Sequence, residues 1–172
     1  MMAAPMRSLS VIAAQTAVWA ELSAARTRFR PLASLTEAIW VLAEEVDELW
    51  EAVRGDDTSH AIAEATQVAA MAARLIVEAG PRRSGDVEQD LTNAQALISA
   101  LVCLSHDERP QPCASLKEGY GFLHRHFSRA LKAVEEDRPE AAHNHCAGLA
   151  AATIRFIDEA RSCPSSEQKA AS

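Results

Sequence analysis

Aromatic residues make up 5% of this 172-residue chain, and it carries only 6 glycines and 7 prolines. With so few breakers, and with long runs of alanine, leucine, glutamate and arginine, helix is favoured over strand throughout and an all-α protein is expected. A basic excess is also missing. The net charge of -7 argues against a general affinity for nucleic acid, whose phosphates need a cationic surface, but leaves room for one anionic ligand held through a metal. No C-x-x-C spacing links Cys103, Cys113, Cys146 and Cys163, and the chain is not a short secreted framework, so a reducing compartment, the cytoplasm, is expected. No apolar run is long enough to span a bilayer, and no membrane partner is expected. The nearest candidate, residues 9–20 behind Arg7, has the look of a signal peptide, but Ser10, Gln15 and Thr16 interrupt it, no A-x-A site closes it, and Glu21 follows in helical phase. A glycine-rich phosphate loop, a nucleophile elbow and a Cys-His pair are all absent.

What the chain does have is 48% hydrophobic residues, ample for one compact domain or two small units sharing a core. Apolar positions recur at helical spacing in six segments, near 8–27, 34–54, 58–79, 86–106, 115–136 and 138–161. Turn chemistry separates them at Arg30-Pro31, Gly55-Asp56-Asp57, Gly80-Pro81 and Pro110-Gln111-Pro112. Ser34 and Ser115 are N-cap candidates, each followed three residues on by the glutamate of a capping box, Glu37 or Glu118. The tail 163–172 reads as disordered.

Residues 31–79 align without a gap on residues 112–160, a displacement of 81, with about a third of the positions identical. Both copies open P-x-A-S-L, and Leu42 meets Leu123, Val53 meets Val134, Arg74 meets Arg155 and Glu78 meets Glu159. A tandem duplication follows: a half at 1–81, a second half at 82–162, and an antiparallel helical bundle in which each three-helix half covers the apolar face of the other as a covalent pseudo-dimer. The pseudo-dimers can pair again as a homodimer.

The stretch Leu42 to Val53 crowds five acidic side chains into three turns. Leu35, Ile39, Leu42, Val46, Leu49 and Val53 form the stripe of the second helix, with Glu45 at its edge and Glu48 one turn on, while Glu44, Asp47 and Glu51 point further out. On the third helix Ala61, Val68, Ala72, Leu75 and Ala79 form the stripe, flanked by Glu64 and Gln67. Carboxylates held together at a core margin repel one another and resist desolvation, so their pKa values rise unless a cation joins them; hard oxygen ligands from two helices suit Mg²⁺. The same spacing also fits a solvated face that tolerates its own repulsion.

The sequence EEVDELWEAV, a linker, and EATQVAAMAAR together resemble the MazG-like all-α nucleoside triphosphate pyrophosphohydrolases, whose mark is Glu-x-x-Glu on one helix and Glu-x-x-Asp on the next. Glu45 and Glu48 match the first pair, Glu44 the extra acid often beside it, and Glu64 the third position; Gln67 stands where aspartate is usual. The resemblance covers Pro31 to about Ala79. It implies Mg²⁺-dependent hydrolysis, with Mn²⁺ as an alternative, of a (deoxy)nucleoside triphosphate to the monophosphate and pyrophosphate. Metal binding falls to Glu45, Glu48, Glu64 and Gln67, and catalysis to Glu45 and to Glu44 as ligand or water-positioning group. Gln67 removes one negative charge and weakens the cation site.

In the second copy Glu44 becomes Arg125, Glu45 His126, Glu48 Arg129, Glu64 His145 and Gln67 Gly148, so this half holds no magnesium site. It is either a structural partner, or Arg125, Arg129 and Lys132 present a cationic face to triphosphate oxygens bound at the first half. The His124-x-His126 and His143-x-His145 pairs cannot chelate on a helix, because i and i+2 diverge; only His126 and His145 are expected to meet. Trp19, Trp40 and Trp50 are expected in the core or at its boundary, with stacking on a nucleobase as the alternative, and the Arg26–Arg30 run at a solvated helix end, with reach to phosphate as the alternative. Alternatives to the hydrolase are a catalytically silent MazG-like module that binds a nucleotide or a protein, and a purely structural helical module.

Overall fold

The computed structural model describes residues 9–162 and, among these, consists of six α-helices with no strand. They are α1 (Leu9–Arg28), α2 (Leu35–Arg54), α3 (Thr58–Ala79), α4 (Val87–Glu108), α5 (Leu116–Glu135) and α6 (Pro139–Ser162). Each matches a segment expected from periodicity, with ends displaced by no more than two residues. The tail 163–172, with Cys163, lies outside the described residues, and the three cysteines within them are free. No helix among the described residues is long and apolar enough to cross a membrane. The run from Leu9 belongs to the bundle: Val11, Ala14, Val18 and Leu22 of α1 are buried, and the helix packs on α3 and α6.

Local chemistry sets the helix ends. Ser34 sits in extended backbone and its hydroxyl accepts from the Glu37 N–H at 3.0 Å; Ser115 accepts from Glu118 at 3.2 Å. The return bond differs from the expected capping box. Glu37 and Glu118 accept from the N–H of Ala33 and Ala114, one residue ahead of the cap, at 2.7 and 2.6 Å. Asp57 and Asp86 cap α3 and α4 in the same manner. In the α2–α3 turn the left-handed residue is Asp56 (φ 56°), not Gly55; its counterpart at the α5–α6 turn is Asp137 (φ 51°), which follows Glu136. Aspartate tolerates this region better than most side chains, so the second turn forms without a glycine.

The two hairpins, α2 with α3 and α5 with α6, pack through α3 against α6 at the centre, while α1 lies on α3 and α4 on α6. Every residue of α3 from Val68 to Val77 is buried, so this helix exceeds the one-sided stripe expected of it: it is enclosed by α1, α2 and α6. Alanine at positions 65, 69, 70, 72 and 73 lets those neighbours approach closely. At the outer seam α2 meets α5 through the Trp50 and Tyr120 rings, 4.9 Å between centres. Burial, and then the nearby Asp47 carboxylate, push the Tyr120 hydroxyl up to about 12.

Two buried arginines fasten the segments ahead of α2 and α5. Arg74, 4% exposed, donates to Glu78 at 3.0 Å and to the Arg30 carbonyl, and Glu78 accepts from the Leu32 N–H at 2.9 Å. Arg155, 2% exposed, donates to Glu159 at 2.6 Å and to the Gln111 carbonyl at 3.1 Å, and Glu159 accepts from the Cys113 N–H at 3.0 Å. Arg155 also reaches the carbonyls of Ser105 and Arg109. Burial alone would raise the Glu159 carboxyl, but the Cys113 N–H and Arg155 outweigh it and hold the group below its ordinary value.

The matched left-handed turns give a test. Asp56→Val and Asp137→Val should each cost about 1–2 kcal/mol, since a β-branched residue is strained at positive φ, whereas Asp56→Gly and Asp137→Gly should be neutral or slightly stabilising. Urea unfolding of the four variants checks this; a valine tolerated at either site would show that the turn relaxes to another geometry.

Candidate functional site

The rotation of α2 is fixed by its buried stripe of Ile39, Leu42, Val46, Leu49 and Val53. That rotation carries Glu45 and Glu48, three residues apart, toward α3 and the side chain of Glu64. Ligand oxygens of the three glutamates all lie within 4.8 Å of one another. Burial is graded across the trio: Glu64 is 9% exposed, Glu45 is half-buried and Glu48 faces solvent. Glu64 is held on both sides, by His60 Nε2 at 2.9 Å and by the Gln67 amide, which donates to its Oε2 at 2.8 Å. Glu45 has no such support: its Oε2 is buried without a hydrogen-bond partner. Burial, then the charges of Glu48, Glu64, Glu44 and Glu21, push its carboxyl up to about 7. Glu44 itself is exposed and lies outside the converging trio, acting on Glu45 through its charge.

Glu45 and Gln67 also form one wall of a cleft of about 350 Å³ between the end of α1, the α1–α2 linker, α2 and α3. Arg28, Phe29, Arg30 and Arg74 line it, with Glu21 and Glu37. Phe29 is largely exposed, with the Arg28 and Arg74 guanidinium carbons 5.6 and 5.9 Å from its ring centre. The end of the Arg26–Arg30 run thus turns into a cleft and is more than the solvated helix end expected of it. Glu21 carries no signal in the sequence, because its closeness to Glu45 arises from packing between separate helices. His60 was legible as the residue four before Glu64 on one helix face. Of the tryptophans, Trp19 and Trp50 sit at the core boundary, but Trp40 is 56% exposed, because it lies on the side of α2 turned away from α3 and α5.

The second half carries a parallel arrangement with different chemistry. A cleft of about 270 Å³ is lined by Arg109, Cys113, Phe122, His126 and Arg155, among others. Gly148 allows the His126 ring to lie where it does, since a Cβ there would stand 2.5 Å from Nδ1. That Nδ1 is buried without a partner. Burial, then His145, Arg129 and Arg125, lower the His126 pKa. Arg125, Arg129 and Lys132 are exposed and are not among the residues lining the first cleft; Lys132 lies 3.7 Å from Glu136.

No family model, no curated protein and no solved structure matches the chain.

Glu45 sets a pH dependence. Between its ordinary value of 4.5 and about 7 the folded state binds a proton that the unfolded state has released, so this group lowers stability as pH rises through that window. In a chelating buffer at about pH 8, Glu45→Gln should therefore be more stable than the parent, on the order of 1 kcal/mol once its partial exposure is allowed for, or roughly 2–4 °C in Tm. The advantage should vanish near pH 5. Thermal unfolding at the two pH values checks it, and a variant no more stable at pH 8 would mean that Glu45 is ordinarily solvated.

Proposed function

We propose that the chain is a tandem of two MazG-like halves whose N-terminal half is a nucleoside triphosphate pyrophosphohydrolase, cleaving a (deoxy)nucleoside triphosphate to the monophosphate and pyrophosphate with Mg²⁺, or Mn²⁺ in its place. The observation that carries this reading is the buried, unpartnered Glu45 Oε2 within a trio of carboxylates spanning 4.8 Å, on the wall of an arginine-lined cleft. The duplication is supported by equivalent caps, turns and arginine bonds recurring 81 residues on, such as Leu32 N–H to Glu78 and Cys113 N–H to Glu159.

The donor set fits a hard divalent cation: only oxygens converge, one has no other partner, and the exposed Glu48 leaves the cluster open to solvent. Glu45, Glu48 and Glu64 would hold the ion, which when bound supplies charge neutralisation at phosphate oxygens and a more acidic water. The chain's own groups do the rest. His60 and Gln67 fix the Glu64 carboxylate. Arg28 and Arg30, largely exposed at the cleft, can turn from Glu21 and Glu37 to the phosphate oxygens the ion leaves uncovered. Phe29 offers a ring face to a base. Glu44, next in the chain to Glu45, would accept a proton from the attacking water.

A second reading, a silent module that binds nucleotide without turnover, draws on Gln67: its amide already satisfies Glu64 and lowers the demand for a cation. Pyrophosphate release over a panel of canonical and modified triphosphates separates the two. Turnover with Mg²⁺ is expected, with Glu48→Ala and Glu64→Ala each losing about 10²-fold or more, the scale set by removing one preorganised electrostatic contact. Gln67→Asp should tighten Mg²⁺ binding by restoring a charge. A Mg²⁺-dependent rise in Tm without turnover would favour the silent module; neither turnover nor a shift would leave only a structural bundle.

A further inference from the structure

The second half has no chemistry in the proposed hydrolysis, yet its residues at the positions of the acidic trio and of the adjoining Glu44 are not inert replacements. Where the first half has Glu44, Glu45, Glu48 and Glu64, the second has Arg125, His126, Arg129 and His145. The backbone frame is closely matched, since Ser34 and Ser115 cap with the same dihedral angles within a degree and α2 and α5 are both 20 residues long. An arrangement that crowds negative charge in one half therefore crowds positive charge in the other.

We infer that His126, which lines the cleft formed by α4, α5 and α6, makes with His145, Arg125 and Arg129 a metal-independent binding site for a phosphoryl oxyanion. Three observations converge on it. Arg125 and Arg129 are exposed and make no ion pair among the described residues; the Arg125 guanidinium only lies over the Phe122 ring, 4.7 Å from its centre. His126 lines the cleft with its Nδ1 sealed against Gly148 and unpartnered. A buried acceptor without a partner is better tolerated than a buried N–H, so the neutral ring keeps its proton on Nε2 and has that N–H to donate. Arg129 follows His126 by one turn on α5, and His145 precedes by one turn on α6 the Gly148 against which the His126 ring packs, so the four residues share one side of the α5–α6 hairpin; both imidazoles are lowered by burial and by Arg129, and on His145 the other charge is Arg138. The cleft's own acids do not neutralise the cluster: Glu159 is bonded by Arg155 and the Cys113 N–H, and neither it nor Glu108 acts on His126. A compact anion with several oxygens would give these donors a shared acceptor and relieve their mutual repulsion. A helix of a second copy presenting carboxylates could meet Arg125 and Arg129 but could not reach a ring recessed beside Gly148, which favours a small ligand.

This site stands whether or not the first half is a hydrolase. Inorganic pyrophosphate titrated calorimetrically onto the full chain, with a chelator present, is the test. The parent should bind, Glu48→Ala should bind as the parent does, and the double variant Arg125→Ala, Arg129→Ala should bind at least about tenfold more weakly, the loss expected for removing charge-assisted contacts. A control double variant, Lys117→Ala with Arg161→Ala, removes the same charge elsewhere on the exposed surface and should bind unchanged. No binding by the parent, equal weakening in the control, or loss in Glu48→Ala would each overturn the proposal. So would absence of binding together with a fall in molar mass on Arg125→Ala, Arg129→Ala, which would make the face an interface between copies.

Discussion

The buried guanidinium of Arg74 is the constraint from which the N-terminal hairpin takes its shape. It joins α3 to the linker ahead of α2 through the Arg30 carbonyl, while Glu78 on the next turn receives the Leu32 N–H. A paired charge in such a place adds little to stability over an apolar substitute, but removing one partner alone costs on the order of 3–5 kcal/mol. Its value here is directional. By holding the chain where it enters α2, the pair seats the start of the helix, whose buried stripe then sets the side on which Glu45 and Glu48 emerge. Arg155 and Glu159 do the same for α5, and Arg155 additionally binds the end of α4.

Once those entries are set, the two halves spend the same frame on opposite electrostatics. In the first, burial and four neighbouring acids act on one carboxyl; in the second, burial, a second imidazole and two arginines act on one imidazole. Both groups are pushed toward their neutral forms by the same two causes, desolvation and like charge. An apolar side chain of similar size would carry neither cost. The crowding is the physical reason to look for ligands of opposite sign.

Much of this was legible beforehand. The helix boundaries followed from apolar periodicity and from Ser34, Ser115 and the proline-bearing linkers, because these are local properties of the chain. The convergence of Glu45, Glu48 and Glu64 was legible for a related reason: the stripe on each helix fixes which residues flank the hairpin interface. What could not be read concerns contacts between elements distant in sequence. The acid Glu21, the cleft behind the Arg26–Arg30 run and the burial of every residue of α3 from Val68 to Val77 depend on how α1 and α6 lie against the hairpin, which no single helix encodes. The shifted capping bonds to Ala33 and Ala114 were likewise out of reach, because the pattern of residue types is the same whichever N–H the glutamate meets.

The alanine-lined centre has its own consequence. Where α3 and α6 cross, most side chains are already a single methyl group, so truncation there has almost nothing to remove. Enlargement is the hazard: even one added carbon at Ala69, Ala72 or Ala150, all wholly enclosed, must wedge apart helices whose separation the rest of the bundle assumes. The molecule should accordingly drift readily at its rim and scarcely at all along this axis, with tolerance governed by bulk more than by polarity.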